Sequence, residues 1–187
     1  MTRLSPLPNR LTALLAEVRV LHTLGPTGTN CEEAAHFWFN GRPQRGDVKL
    51  YATLETALEA MPQAPGHALL ACAVYPQLHT LVFSNLHRLA VADTFVMPTF
   101  EMVLASRTGG APSVVATHPA PQGLVPADMR RVLVNSNAQA AIECAEGRTD
   151  GCITTSKAAA AHKLQIVTNH GAVPMVFTLH VPTALAR

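Results

Sequence analysis

The sequence predicts an α/β fold in which mostly parallel strands are covered by helices. Three segments, which begin near residues 18, 131 and 151, repeat the order of strand, polar cap and helix. In addition, residues 67–74 form a nearly continuous apolar run, which is typical of a strand buried on both faces of a sheet. Strands that alternate with helices in this way indicate the α/β class.

The expected elements follow one another along the chain. A loose arm at 1–10 and a short amphipathic turn at 11–17 come first. Strands are expected at 18–24, 47–51, 67–74, 89–97, 99–106, 113–117, 131–134, 151–154, 164–167 and 173–180. Helices are expected at 30–40, 54–61, 138–146 and 157–163, each after a Thr, Ser or Asn that can cap its first turn. Residues 75–88 lack a clear period and are interpreted as mixed helix and loop, and the proline-rich segment 119–126 as a loop.

Composition limits the class of protein. The 187 residues are enough for one domain, and 48% hydrophobic against 14% charged residues predicts a folded chain. A net charge of +2 without a basic run predicts no nucleic-acid partner, and no apolar run approaches the ~20 residues of a membrane helix. The nine histidines lack the local spacing of a metal site, so neither a metal nor a cofactor is expected. Four scattered cysteines and the lack of a recognisable secretion signal predict a cytoplasmic protein.

The segment 24–30, Leu-Gly-Pro-Thr-Gly-Thr-Asn, joins the first strand to the first helix. Its two glycines let the backbone approach a ligand. The helix start offers unpaired N–H groups and a partial positive charge, which favour a carboxylate or a phosphate. We therefore interpret this loop as an anion-binding turn.

Two later segments, Asn135-Ser136-Asn137 and Thr154-Thr155-Ser156, repeat this pattern of small polar residues before a helix. Simple capping would also account for each start taken singly. If the chain forms two lobes, however, the three starts can converge on a ligand with two carboxylates. The predicted binding residues are Thr27, Gly28, Thr29, Asn30, Ser136, Asn137, Thr154 and Thr155.

Residues 24–35 resemble the opening signature of the prephenate dehydratases, in which Gly-Pro-x-Gly-Thr precedes an Ala-Ala helix. The segments 136–141, 150–154 and 163–167 follow the order of the same family's second lobe. The resemblance implies a two-lobed fold like that of type II periplasmic binding proteins, with a small carboxylate substrate between the lobes. It implies a single domain at 1–187, with lobe 1 at 18–90 plus 170–187 and lobe 2 at 91–169. It also implies a homodimer.

Two departures from the dehydratase pattern bear on the reaction. Residues 71–76, Ala-Cys-Ala-Val-Tyr-Pro, stand where the dehydratases have Ile-Glu-Asn-Ser. Residues 172–177 lack the Thr-Arg-Phe triplet, whose Thr is the expected proton donor to the leaving hydroxyl. The dehydratases' regulatory ACT domain is not expected in this protein. The pattern is more similar to the stand-alone prephenate decarboxylases, which remove a carboxylate without aromatising the ring. The resemblance therefore implies a lyase that acts on prephenate or a similar cyclic carboxylate.

The candidates for proton transfer are Tyr75, at the end of the third strand, and His170. His79 and His87 are alternatives, and each histidine also fits a half-buried structural role. Two other functions stay open from the sequence. One is a non-catalytic protein that binds a small acid or amino acid, and the other is a lyase or isomerase of aromatic-compound metabolism that reuses the fold.

Overall fold

The computed structural model describes residues 9–43 and 45–183. The helices are α1 Asn9–Glu17, α2 Asn30–Asn40, α3 Leu54–Ala60, α4 Leu78–Ser84, α5 Asn137–Ala145 and α6 Ser156–Ala161. The strands are β1 Val20–Leu24, β2 Asp47–Tyr51, β3 His67–Cys72, β4 Leu89–Pro98, β5 Met102–Ser106, β6 Val114–Thr117, β7 Arg130–Leu133, β8 Gly151–Thr155, β9 Gln165–Gly171 and β10 Pro174–Pro182. A short 3-10 turn lies at Gln122–Leu124.

The first sheet has five strands in the order β2-β1-β3-β10-β4. Strand β1 runs parallel to β2 and β3, whereas β10 runs antiparallel to both of its neighbours, β3 and β4. The core of this lobe contains large apolar side chains that are almost fully buried, such as Leu21, Leu70, Phe177 and Leu179. Burial of several such side chains, at roughly 1.5–3 kcal/mol each, is the main driving force for this half of the fold.

The second sheet repeats the pattern with the order β7-β6-β8-β5-β9. Strand β6 is parallel to β7 and β8, and β5 is antiparallel to β8 and β9. Its core is built from smaller side chains, because helix α5 presents Ala140, Ala141 and Cys144 to the sheet. Both sheets are therefore mostly parallel with one reversed strand, which confirms the α/β class.

Strand β4 changes the expected division of the chain. It was expected to open lobe 2 at residue 91, but it pairs with β10 along its whole length, from Leu89 to Pro98. It therefore belongs to the first sheet, and the strands of the second sheet begin only at Met102. Pro98 is accommodated because β4 is an edge strand, where a missing N–H does not break the ladder. The expected arm at 1–8 and the expected lobe 1 residues 184–187 lie outside the described residues.

Two segments differ from the expected elements. Helix α1 begins at Asn9, where only a short turn was expected, and helix α4 lies in the segment interpreted as mixed helix and loop. Helix α4 buries only Leu81, and its N-terminus has no side-chain cap. Because only one residue of this helix is buried, its sequence lacks the periodic apolar pattern by which an amphipathic helix is predicted.

The two sheets are joined by two short segments that run side by side, one at Thr99 and the other at Val173. We call them the crossing segments. The Thr99 N–H donates to the Val173 carbonyl at 2.9 Å, and the Val173 N–H donates to the Thr99 hydroxyl oxygen at 3.0 Å. These paired bonds fix the chain where it crosses between the lobes. Within the described ranges, none of the helices has the length and apolarity needed to span a membrane.

Candidate active site

A cavity of about 360 Å³ lies between the two sheets, next to the paired crossing segments. Its size falls within the range of about 300–1,000 Å³ that small-molecule sites occupy. Side chains from both lobes line it, among them Thr29, Tyr75, Thr99, His118 and Asn137. A site that both lobes complete can bind its ligand by closing around it.

The first wall of the cavity contains the start of helix α2. The Thr29 hydroxyl accepts a hydrogen bond from the Glu32 N–H at 3.3 Å and donates one to the Leu24 carbonyl at 3.1 Å. The Asn30 side-chain oxygen accepts a bond from the Phe100 N–H at 2.9 Å, which ties this helix to the crossing segment. Thr29 and Asn30 both line the cavity, so the positive end of the α2 dipole points toward it.

The opposite wall contains the start of helix α5, with Asn135, Ser136 and Asn137 on the cavity. Ser136 caps the helix by accepting a bond from the Gln139 N–H at 3.0 Å. The side-chain oxygen of Asn137 is buried and has no hydrogen-bond partner among the described residues. A buried acceptor without a partner is costly, so a rearrangement that brings a donor to the Asn137 oxygen would be favourable.

The third polar helix start does not reach the cavity. The Thr154 hydroxyl donates to the Asn137 carbonyl at 2.6 Å, and Thr155 caps α6 by accepting from the Ala158 N–H at 3.1 Å. Both side chains are buried, and the cavity lining contains neither of them. The lining also does not include Thr27 or Gly28, which lie in the turn before α2. The structure therefore places four of the eight predicted binding residues at the cavity.

The two candidates for proton transfer lie in different places. Tyr75 lines the cavity, and its hydroxyl donates to a carboxylate oxygen of Glu55 at 2.6 Å. Burial, followed by the neighbouring Glu55 carboxylate, raises the pKa of Tyr75 to about 12. His170, in contrast, is exposed on β9 and is not part of the lining. His170 lies on β9, an edge strand of the second sheet, outside the lining of this cavity, and its role in proton transfer stays a prediction.

His118 is a cavity residue that the sequence analysis missed. It follows β6 directly, and its Nδ1 accepts a bond from the Ala120 N–H at 3.2 Å. That bond leaves the proton of the neutral ring on Nε2. Burial lowers the pKa of His118, so the ring is uncharged at neutral pH. Its position at the end of a parallel strand was the only available signal, since ligands of α/β sheets bind at such ends.

No formal charge lines the cavity at neutral pH among the residues that the structure describes. The described lining contains no Lys, Arg, Asp or Glu, and its cysteines, Cys31 and Cys72, have pKa values raised by burial. All four cysteines are free thiols. Within the described residues no cluster of His, Cys, Asp and Glu has the size of a metal site. The polar groups that face a ligand are therefore helix N–H groups, hydroxyls, amides and one neutral imidazole.

Solved structures with the same fold show low sequence identity to this chain. GqqA, described as a novel type of quorum quenching acylase, has a TM-score of 0.61 at 16% identity, over 87% of this chain and 64% of that one. The prephenate dehydratase of Staphylococcus aureus subsp. aureus Mu50 has a TM-score of 0.57 at 10% identity, over 88% of this chain and 66% of that one. The periplasmic VFT2 domain of Bordetella pertussis BvgS has a TM-score of 0.57 at 13% identity, over 97% of this chain and 90% of that domain. These likenesses confirm the two-lobed, periplasmic-binding-protein-like fold.

Comparison with known sequences identifies the family of this chain. No family model matches the chain. The prephenate decarboxylase of Bacillus subtilis (strain 168) is 30% identical over 184 residues, covering 88% of this chain and 87% of that protein. At this identity and coverage, the chain belongs to the prephenate decarboxylase family.

Proposed function

We propose that this protein is a lyase that removes the ring carboxylate of prephenate without aromatising the ring. The observation that carries the proposal is the cavity itself, in which two opposed helix starts face an uncharged and largely apolar space. The curated relative, named a prephenate decarboxylase, supports the choice of substrate. The choice of reaction is supported by the lack of the dehydratases' Ile-Glu-Asn-Ser segment at residues 71–76 and of their Thr-Arg-Phe triplet at residues 172–177.

The helix starts would hold the two carboxylates of the substrate. The first N–H groups of a helix have no partner inside the helix, and they carry the positive end of its dipole. Helix α2 offers such groups beside Thr29 and Asn30, and helix α5 offers them beside Ser136 and Asn137. We propose these four residues, at the cavity, as the substrate-binding residues.

An uncharged cavity favours loss of carbon dioxide. The bond between the ring and its carboxylate breaks, and its electron pair forms a new ring double bond. The displaced π pair takes up one proton at the carbon beside the hydroxyl-bearing carbon, so carbon dioxide leaves and the hydroxyl stays. We propose that the N–H groups at the helix starts replace only part of the hydration of the ring carboxylate, and that no Lys or Arg of the described lining pairs with it. A carboxylate removed from water in this way is destabilised relative to neutral carbon dioxide. Dehydration would instead need a donor at the hydroxyl, where we place the unpartnered acceptor of Asn137.

The test is incubation of the purified protein with prephenate. We expect loss of prephenate with one equivalent of carbon dioxide released and no phenylpyruvate formed. Accumulation of phenylpyruvate would instead identify a dehydratase. Stabilisation by prephenate against heat without any turnover would indicate a binding protein, because a ligand that binds only the folded state raises its stability.

The proposal includes three further properties, of which the dimer rests on the family resemblance and the other two on the sequence. We propose a cytoplasmic homodimer that works without a cofactor. Light scattering of the purified protein tests the dimer, since a monomer mass near 19.9 kDa would contradict it.

A further inference from the structure

His118 is a polar cavity residue to which the proposed reaction gives no task. It follows β6 directly, is partly buried and lines the cavity from the side of the second sheet. Its Nδ1 accepts the Ala120 N–H at 3.2 Å, whereas its Nε2 has no hydrogen-bond partner among the described residues. The fully buried polar atoms that lack a partner there are Asn137 Oδ1 and His180 Nδ1. The unpartnered Nε2 of His118 is therefore not enclosed by protein, and a ligand can reach it.

The bond from Ala120 determines what the imidazole can offer a ligand. A backbone N–H can only donate, so Nδ1 must hold a lone pair and the neutral ring carries its proton on Nε2. A flipped ring would place a C–H group against the Ala120 N–H and lose this bond. Burial lowers the pKa of His118, which keeps the ring neutral at neutral pH. His118 therefore presents one N–H donor to the ligand and no acceptor.

The proposed binding mode leaves one polar group of the substrate without a partner. The helix starts receive the two carboxylates, and the Asn137 oxygen receives the hydroxyl. The keto oxygen of the side chain is left, and it can only accept a hydrogen bond. Tyr75 does not supply the donor, because its one hydroxyl proton is directed to Glu55. The Nε2–H of His118 has the chemistry that the keto oxygen needs.

Resting on the proposed function, we propose that His118 is the specificity-determining residue that selects a 2-oxo acid, by donating its Nε2–H to the keto oxygen of the substrate. A 2-amino acid carries a protonated amine at that position, and an amine in this form can only donate. Two donors would then face each other, and the described lining has no Asp or Glu to pair with the amine. Polar groups left unpaired in a closed site are costly, so the 2-amino acid is rejected.

Two substitutions separate donation to the substrate from support of the loop. In His118→Asn the amide oxygen can stand near the place of Nδ1 and still accept the Ala120 N–H, but no donor reaches the place of Nε2. In His118→Gln the longer side chain brings an amide N–H to that place. The substrates to compare are prephenate and its 2-amino counterpart, in which a protonated amine replaces the keto group. The matched control is His36→Asn, at an exposed position of α2.

We expect the wild type to prefer prephenate over the 2-amino counterpart by about tenfold or more in kcat/KM. His118→Asn should lower kcat/KM for prephenate by about 3–10-fold, the usual value of one neutral hydrogen bond, without lowering it for the 2-amino counterpart. His118→Gln should stay within about twofold of the wild type for prephenate, and His36→Asn should match the wild type. Equal losses for both substrates in His118→Asn, or equal losses for prephenate in His118→Asn and His118→Gln, would overturn the inference.

A second measurement needs neither turnover nor a variant. Phenylpyruvate and phenylalanine share one skeleton and differ only where a keto group is replaced by a protonated amine. We expect phenylpyruvate to raise the melting temperature of the wild type more than an equal concentration of phenylalanine does. Equal or reversed shifts would overturn the inference. If the wild type leaves prephenate untouched, the proposed function fails while this pair of ligands still tests the selection. If prephenate is turned over and His118→Asn keeps the wild-type kcat/KM, the function stands and the inference fails.

Discussion

Asn137 is the cavity residue whose hydrogen bonding is least complete. Its side-chain oxygen is buried without a partner among the described residues, and its amide nitrogen reaches only the Met102 sulfur at 3.9 Å. A substrate hydroxyl that donates to this oxygen would be held without receiving a proton. Such a hydroxyl is a poor leaving group, so Asn137 would favour decarboxylation over dehydration.

We expect Asn137→Ala to raise KM for prephenate by about 3–10-fold, because one neutral hydrogen bond is worth about 0.5–1.5 kcal/mol. The melting temperature should change little, since the substitution also removes a buried acceptor that lacks a partner. Steady-state kinetics and thermal unfolding check both points. The control is Asn40→Ala at the exposed end of α2. Equal KM values for the two variants would show that Asn137 does not touch the substrate.

The sequence predicted those cavity residues whose position follows from the local order of strand, cap and helix. Thr29, Asn30, Ser136 and Asn137 were predicted because a cap between a strand and a helix lies at the end of the sheet where ligands bind. The same rule also predicted Thr154 and Thr155, which the cavity lining does not include. Their hydroxyls are used by the protein itself, at the Asn137 carbonyl and the Ala158 N–H, and such long-range contacts leave no local signal.

At the scale of secondary structure, the N-terminal caps of α5 and α6 form a matched pair of sites for substitution. Ser136 and Thr155 each accept a bond from the N–H three residues later, but only Ser136 lines the cavity. We expect Ser136→Ala and Thr155→Ala to lower the free energy of unfolding by similar amounts, about 0.5–2 kcal/mol each. Only Ser136→Ala should raise KM. Denaturant unfolding and kinetics on both variants test this, and a raised KM in Thr155→Ala would return that residue to the binding site.

Two buried histidines lie in one row across the first sheet, on either side of a leucine. His22 on β1 and His180 on β10 both lie opposite Leu69 on β3, and both imidazoles are buried. Burial, followed for His22 by the charges of His67 and Lys49, lowers the pKa of each from 6.5 to about 4. Between these values the unfolded chain binds more protons than the folded one. The free energy of unfolding should therefore fall as the pH is lowered from about 6.5 to about 4.

Urea unfolding at several pH values measures this slope. We expect His180→Gln to flatten it, because the glutamine takes no proton in either state. Replacement of the exposed His162 by Gln serves as the control and should leave the slope as in the wild type. A slope unaffected by His180→Gln would mean that other groups cause the acid sensitivity.

The elements themselves were largely predictable, and the exceptions share a cause. Both sheets were predicted from apolar runs and caps, but helix α4 and the assignment of β4 were not. Helix α4 buries a single residue, and the lobe to which β4 belongs depends on its pairing with β10, about 80 residues later. His118 was missed for a similar reason, because its neighbours in the cavity come from distant parts of the chain.

For the molecule as a whole, the crossing segments couple the lobes to the site. Thr99 and Val173 line the cavity and are hydrogen-bonded to each other, so the cavity lies at the point about which the lobes would move. The two helix starts, one on each lobe, would then approach the two carboxylates together. This geometry would allow binding without a charged side chain in the described lining, since each carboxylate of the proposed substrate would meet N–H donors and a helix dipole.

The central claim is that carbon dioxide leaves this cavity while the ring hydroxyl stays. The most direct measurement is proton NMR of the product formed from prephenate in D2O. We predict a non-aromatic product that keeps its hydroxyl-bearing carbon and carries one deuterium on the adjacent ring carbon. Aromatic signals of phenylpyruvate, or prephenate that remains unchanged, would contradict the account.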